Sequence, residues 1–219
     1  MKQDLVHWLE LDFHDYWLAG SGSASTPWLD EHVEKSSDDL PFFAGRALKG
    51  VLRDAVRCAQ EWGWLPAYPQ GMSPQQQAVW PGWTVALFGS SQTEQGGLSP
   101  NQSRSASLLI GNANLPEEVQ AFLRQRPEHK EQLQRALFAT SIDDETGVAL
   151  AGSLRGMEVS VPMLLLAPIE ALPHAPLGWQ EVVQQVLPLL RGIGKRRSRG
   201  LGRVTVSLHA VQVSKEAVR

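Results

Sequence analysis

The order strand, helix, strands, helix, strand, legible along the 219 residues of this chain, predicts an α+β fold of the ferredoxin-like type, in which an antiparallel sheet carries both helices on one face. Three observations carry that prediction. The opening and closing segments alternate apolar and polar residues with period two, as half-buried strands do. Two segments between them repeat apolar residues at helical spacing, each as a single stripe. No internal repeat or low-complexity tract competes with this reading.

Val6-His7-Trp8-Leu9-Glu10-Leu11-Asp12-Phe13 is rich in strand formers and alternates in its second half, which makes it the first strand. The small polar run Gly20-Ser21-Gly22-Ser23-Ala24-Ser25-Thr26-Pro27 leads into an acidic stretch ending at Asp38-Asp39. Residues 19–40 therefore read as a long projecting loop, and loops beyond about 12–15 residues are commonly functional or disordered. Leu48, Leu52, Ala55, Val56 and Ala59 then recur at spacings of four, three, one and three, the stripe of a first helix, with Arg46, Lys49, Arg53 and Arg57 on its other side. Residues 63–105 are rich in Pro, Gly, Gln and Ser with scattered tryptophans, interrupted by Val85-Ala86-Leu87-Phe88-Gly89, and read as an insertion over the core. Ser107-Leu108-Leu109-Ile110 is a short strand. Pro116 to Phe138 reads as one or two helices broken at Pro127. Val148 to Ile169 suggests a hairpin or strand pair, with Val159-Ser160-Val161-Pro162-Met163-Leu164-Leu165-Leu166 as its buried limb. A second helix begins near Trp179 with Val182, Val183, Val186 and Leu190 on one face, shortened or kinked by Pro188. Residues 203–211 alternate cleanly and close the sheet.

With 42% hydrophobic and 20% charged residues, the chain is long enough to bury one sizeable core, and residues 1–219 are expected to form a single domain carrying the 63–105 insertion. The net charge of −3 excludes a general basic coat for nucleic acid, so any such contact must be local. The single cysteine, Cys58, excludes an internal disulfide and fits a reducing compartment. No charged start followed by an apolar stretch, and no apolar run near about 18 residues, is present, so a cytoplasmic protein without a membrane span is expected. Zinc-ligand spacings, a P-loop, a dinucleotide fingerprint and a nucleophile elbow are all absent from the sequence.

The most informative stretch is Gly192-Ile193-Gly194-Lys195-Arg196-Arg197-Ser198-Arg199-Gly200-Leu201-Gly202-Arg203, with four glycines, five cations and no acid in twelve residues. Glycine lets a backbone approach closely and supplies positive φ, so such a loop can offer amide N–H groups and guanidinium groups to a phosphodiester together. Cations following a helix C-terminus also favour its dipole, which is the plainer account. Arg46, Lys49 and Arg53 at the first helix start add positive charge to an N-terminus, another anion-binding arrangement, or form an ordinary exposed polar face. On a ferredoxin-like fold, the loop after the first strand and the loop before the last are spatial neighbours, so the two basic segments are expected to flank one surface.

Leu40-Pro41-Phe42-Phe43-Ala44-Gly45-Arg46-Ala47-Leu48-Lys49-Gly50-Val51-Leu52-Arg53 resembles the PGSSLKG-type segment of the RAMP superfamily, the repeat-associated proteins of CRISPR systems. Residues 192–204 resemble that family's C-terminal glycine-rich signature. Leu87-Phe88-Gly89 and the segment 141–158, with Asp143, Thr146-Gly147, Arg155 and Glu158, look like the backbone subunits of type III interference complexes. The similarity touches most of the chain in the family's order. Ala44 stands where the family has proline, and Arg46-Ala47 replaces its serine pair, which removes the hydroxyls of a serine-mediated phosphate contact and leaves Arg46 as a candidate for a charge-assisted one.

The resemblance implies a modified RNA-recognition fold with large insertions, and a thumb-like hairpin or loop, here about 19–40, that displaces one guide nucleotide at intervals. It implies guide RNA, complementary target RNA and other CRISPR effector subunits as partners, in antiviral defence. The RNA-binding residues it implies are Arg46, Lys49, Arg53, Lys195, Arg196, Arg197, Ser198, Arg199, Gly200, Gly202 and Arg203. Many such subunits cut target RNA with an aspartate upstream of the PGSSLKG-type segment. The matching position is Asp30, eleven residues before Pro41, as catalyst and as ligand of Mg²⁺ or another divalent metal. In that chemistry the 2′-hydroxyl of the RNA attacks, so one carboxylate suffices. Asp30 also reads as one acid of a solvated loop with Glu31, Glu34, Asp38 and Asp39, which makes the chain a scaffold. A repeat-RNA-processing endoribonuclease of the same superfamily, using His14 or His32, is the remaining alternative. Arg155 and Glu158, three apart, are expected to pair locally or to stand near the target path. The tryptophans either staple the insertion to the core or stack on splayed bases.

Overall fold

β1 (Leu5–Phe13) lies at the centre of a sheet because its alternation gives it one apolar face: Leu9, Leu11 and Phe13 are buried, while Trp8, Glu10 and Asp12 point the other way. The computed structural model describes residues 5–20, 30–90 and 103–212. β2 (Leu108–Ile110), β5 (Leu164–Ala171), β1 and β6 (Val204–Gln212) form a four-stranded sheet in the order β2-β5-β1-β6, every pairing antiparallel. Leu11 stands opposite Leu165 on one side and Val206 on the other, so three strands supply one apolar layer. This is the ferredoxin-like order expected from the sequence.

α1 (Gly45–Glu61) and α5 (Trp179–Val186) cover that layer. Leu48, Leu52, Ala55, Val56 and Ala59 of α1 and Val182, Val183 and Val186 of α5 are all buried, as their spacing predicted. Each large aliphatic among them contributes about 1.5–3 kcal/mol relative to exposure. A 3-10 turn at Leu187–Leu189 ends α5 at Pro188. The start of α1 is locked to the exit of β2: the Gly45 N–H donates to Asn112 Oδ1 at 2.9 Å, and a Cβ on Gly45 would lie 2.5 Å from the Ile110 carbonyl oxygen. Only glycine fits there.

Between α1 and β2 the insertion carries two short helices, α2 (Pro74–Ala78) and α3 (Trp83–Phe88). Trp83, Leu87 and Phe88 are buried against the core, and the Trp83 indole N–H donates to the Pro66 carbonyl at 2.6 Å. Trp83 thus acts as a staple, whereas Trp62 and Trp64 are exposed. Among the described residues, no helix is long and apolar enough to cross a membrane.

The segment between β2 and β5 departs from the sequence expectation. α4 (Glu117–Gln125) and a 3-10 stretch at Pro127–Leu133 do break at Pro127, but Gln134–Ala139 is a strand, β3, not the end of a helix. It pairs with β4 (Arg155–Ser160) as a separate two-stranded hairpin. Val159 to Leu166 is therefore not one limb: it is the end of β4, a turn and the start of β5 in the other sheet. Gln134-Arg135 followed by Ala136-Leu137-Phe138 has no clean period of either kind, and pairing with β4 decides it. Most of residues 140–154, the far end of the hairpin, are exposed, and Ile142, Val148, Leu150 and Leu154 there, with Phe138 just before, are exposed apolar side chains. Within it the Asp143 carboxylate accepts from the Thr146 N–H, the Thr146 hydroxyl and the Glu145 N–H, and these bonds hold its pKa below the ordinary carboxylate range.

Trp17 joins the two sheets. It is fully buried, stacks on Phe13 with ring centroids 4.6 Å apart, and its backbone bridges to Ser160 of β4. Its indole N–H donates to the Val161 carbonyl at 3.1 Å. Trp17→Ala removes packing and leaves that carbonyl without its donor, so the chain is expected to lose about 3–5 kcal/mol, read as a lowered midpoint in urea denaturation. A change under about 1 kcal/mol would show that the hairpin docks without it.

Candidate nucleic-acid interface

β1 and β6 are antiparallel neighbours, so the chain leaving β1 and the chain entering β6 emerge at the same end of the sheet. Three backbone bonds lace them together: His14 N–H to the Arg203 carbonyl at 2.9 Å, Gly202 N–H to Tyr16 at 2.7 Å, and Lys195 N–H to Leu18 at 2.9 Å. The glycine-rich loop closes on itself through Ile193 N–H to the Gly202 carbonyl at 2.9 Å, with the Ile193 side chain fully buried as its anchor.

The glycines divide by role. Gly194 (φ 99°) lies so close to the first loop that a Cβ would meet the Leu18 carbonyl oxygen at 2.7 Å, and a Cβ on Gly202 (φ 72°) would collide with the Ile193 carbonyl. Close approach at these two positions is to the protein's own backbone, not to a ligand. Gly200 (φ 87°) ends the short 3-10 turn Arg197–Arg199 and faces open space.

The cations divide likewise. Arg196 donates to Glu31 Oε1 at 2.9 Å, with Lys195 Nζ 3.9 Å from Glu31 Oε2, and Arg203 pairs with Asp15 at 3.0 Å. Arg197 and Arg199 are exposed, as is Ser198, and neither arginine makes an ion pair among the described residues. Across from the loop, Arg46 is 83% exposed and only loosely held by Glu34 at 3.5 Å. Lys49 and Arg53 follow along α1, both half-buried. Of the first-turn amides, that of Gly45 is taken by Asn112, and no acid lies in that turn.

The two basic segments meet at a cavity of about 310 Å³, with Ala44, Arg46 and Ala47 on one wall, and Gly194, Lys195 and Arg197 on the other. This is the convergence expected from the sequence. The acids that draw off part of the positive charge, Asp15, Glu31 and Glu34, were not singled out as partners; only their clustering in the segments that the fold brings to the loop would have signalled it.

Asp30 is exposed, and its N–H donates to the Gly156 carbonyl of β4 at 2.8 Å. The next residue bridges to Met157, and the Glu158 N–H returns to the Glu31 carbonyl at 2.9 Å. The described part of the 19–40 loop is thus strapped along β4 rather than projecting; residues 21–29, with Trp28, lie outside the described residues. Glu158 does not pair with Arg155, because three positions along a strand place them on opposite faces. Its carboxylate faces Lys35 at 3.2 Å, His32 at 3.5 Å and the Val33 N–H at 3.2 Å. His14 is spent on the Thr205 hydroxyl at 2.7 Å.

Among the described residues no group of three or more His, Cys, Asp or Glu side chains is placed to hold a metal ion. Asp30 alone fits a divalent ion only as a single ligand, the rest coming from water or phosphate oxygens, which Mg²⁺ accepts and a protein-caged metal does not. The outward face of the main sheet offers no alternative grip: Glu10, Asp12 and Glu170 stand on it, with no Lys or Arg on the outward positions of β1, β5 and β6.

The sheet order, the helices on one face and the laced loops define a ferredoxin-like fold modified by an insertion and a second hairpin. The RAMP superfamily matches residues 10–205, and the chain belongs to that family. Among solved structures, the fold is shared with a subunit of a type III-B Cmr-beta complex bound to cognate target RNA, at 11% identity and a TM-score of 0.62 over 94% of this chain and 97% of that one. The apo state of Cmr-beta gives 12% identity and 0.58 over 93% and 96%. A type IV-B CRISPR complex gives 16% identity and 0.58 over 98% and 92%. No curated protein matches the sequence.

Gly202 and Gly200 make the loop's construction testable. Gly200→Ala carries only the cost of a left-handed residue, about 1–2 kcal/mol. Gly202→Ala adds a clash with the Ile193 carbonyl, so its thermal midpoint is expected to fall well below that of Gly200→Ala. Equal midpoints would mean the loop is not laced as described.

Proposed function

We propose that this chain is an RNA-binding subunit of a CRISPR ribonucleoprotein complex, holding the backbone of guide RNA in the cleft between the start of α1 and the glycine-rich loop. The observation that carries the reading is the convergence of Arg46, Lys195 and Arg197, from segments far apart in sequence, on one cavity. Arg197 and Arg199, unpaired within the described protein, are the cations a phosphate would meet first; Arg196 and Arg203 hold the loop in place through Glu31 and Asp15. Membership of the RAMP superfamily and the likeness to subunits of Cmr-beta and type IV-B complexes support this setting. The exposed β3–β4 hairpin, rather than residues 30–40, is the element shaped to reach toward a neighbouring nucleotide. Guide RNA, target RNA and other effector subunits are the partners this assigns, and the cytoplasm is the compartment.

Asp30 is the residue proposed to take part in cutting target RNA, with its backbone fixed by Gly156 and its carboxylate exposed. A divalent ion bound there would neutralise charge developing on the phosphate during attack by the 2′-hydroxyl. The isolation of Asp30 from other ligating side chains among the described residues favours a second reading, in which the subunit only scaffolds.

Two measurements test these assignments. Replacing Arg197 and Arg199 together with Ala is expected to weaken single-stranded RNA binding across sequences and to lower the slope of log K against log salt by about 1.4, at about 0.7 per lost phosphate contact. An unchanged slope refutes the grip. Asp30→Ala in the assembled complex is expected to abolish target cleavage by this subunit while leaving RNA affinity unchanged; undiminished, metal-dependent cleavage assigns it the scaffold role.

A further inference from the structure

A second stripe, distinct from the one that packs the core, runs down α1. Ala47, Val51, Asp54, Cys58 and Trp62 follow at spacings of four, three, four and four, which stacks them along one face of the helix and its cap. The first two line the cavity already described. Val51, Asp54, Cys58 and Trp62 line a second cavity of about 320 Å³, whose opposite wall includes Leu189 and Arg197. Val51 and Arg197 belong to both cavities, so these are two halves of one groove. Its α1 wall runs about 24 Å from Arg46 to Trp62.

The halves differ in chemistry. The first holds Arg46, Lys195 and Arg197 with Glu34. The second has one cation, Arg197, and is otherwise an apolar slot with an indole at its end and one carboxylate, Asp54, 3.5 Å from Arg57. Asp54, balanced in part by Arg57, offers a phosphate no attraction, and Cys58 and Leu189 add none. A nucleobase presents an apolar plane to the indole and edge N–H groups to a carboxylate, and suits all of them. Trp62 is 56% exposed and Trp64 52%, with ring centroids 5.0 Å apart, so this indole surface is not consumed by the core.

We propose that the second half of the groove is a nucleobase pocket, in which Trp62 stacks on a base of the strand whose phosphate Arg197 holds at the junction. The inference rests on the RNA-binding reading above and adds a base-contacting residue to it. Stacking accepts any base, because every base has a π face. The pocket therefore distinguishes a base-bearing strand from a bare phosphate chain, not one sequence from another.

The test compares binding of the full chain to a fluorescein-labelled single-stranded oligouridylate and to an abasic ribose-phosphate strand of equal length, over a salt series. Trp62→Ala is expected to bind the oligouridylate about tenfold more weakly with an unchanged salt slope, because stacking releases no counterions. Trp62→Phe is expected to keep most of the affinity, and all three proteins to bind the abasic strand alike. Because Trp62 is exposed, Trp62→Ala is also expected to unfold at the unaltered protein's midpoint. Full affinity in Trp62→Ala, or an equal loss on both strands, overturns the pocket. So does intact RNA affinity with failure to join partner subunits, which would make the indole a protein contact. A chain that binds neither strand refutes the phosphate grip and the pocket together. A salt slope that falls in the Arg197, Arg199 double variant while Trp62→Ala is indifferent refutes the pocket alone.

Discussion

The antiparallel pairing of β1 with β6 is the constraint on which the rest of the molecule depends. Because Phe13 ends β1 opposite Val204 at the start of β6, the chain on either side of that pair must run together for several residues. The backbone bonds from His14, Lys195 and Gly202 exploit that proximity. They set how close the two loops come, and that closeness forces glycine at 194, while the closure of the glycine-rich loop on Ile193 forces it at 202. The register itself is held by burial: a slip of one residue would turn Leu9, Leu11 and Phe13 out of the layer beneath α1 and α5. The apolar core and the basic cleft are therefore one construction.

Charge is arranged in two tiers on that frame. Arg196 and Arg203 meet Glu31 and Asp15, which ties the glycine-rich loop to the chain after β1 and to the strap beside β4. Pairs like these spend their charge internally and attract little from solution. The cations left over, Arg197 and Arg199 with the loosely held Arg46, lie on or beside the helix-side groove, while the open face of the sheet carries Glu10, Asp12 and Glu170. A chain with a net charge of −3 can still present a local positive field, and here the exposed cations stand on the groove side and the acids on the open face of the sheet.

The sheet and both core helices were legible because each is written as a period: two in Leu9-Glu10-Leu11-Asp12-Phe13, and three to four in Leu48, Leu52, Ala55, Val56 and Ala59. The β3–β4 hairpin was not, since Gln134 to Phe138 is too short and unpatterned to show either period and only its partner strand decides it. The convergence of the two basic segments followed from topology. The pairing of Arg196 with Glu31 did not, because it depends on how the strap beside β4 meets the glycine-rich loop, nor did the loss of an Arg155–Glu158 pair, which depends on the strand face each side chain occupies. Trp62 was legible only as one tryptophan among eight; its place at the end of an α1 stripe that lines a groove needs the opposite wall, supplied by residues more than a hundred positions away.

Glu31 connects the groove to the strap that carries Asp30. Its side chain holds Arg196 at 2.9 Å, while its carbonyl accepts the Glu158 N–H and its neighbour's N–H is fixed to Gly156. Arg197 follows Arg196 without an intervening residue, and Asp30 precedes Glu31 in the same way. The backbone positions of the exposed aspartate and of the unpaired arginine are thereby set by one ion pair and two strand-type bonds, not by two independent loops. Arg197 is thereby held at a fixed offset from Asp30, and the hairpin from which β4 comes is part of the same unit. Among the described residues, which hold no cluster of metal-ligating side chains, this geometry still fixes one exposed carboxylate at a defined place relative to Arg197.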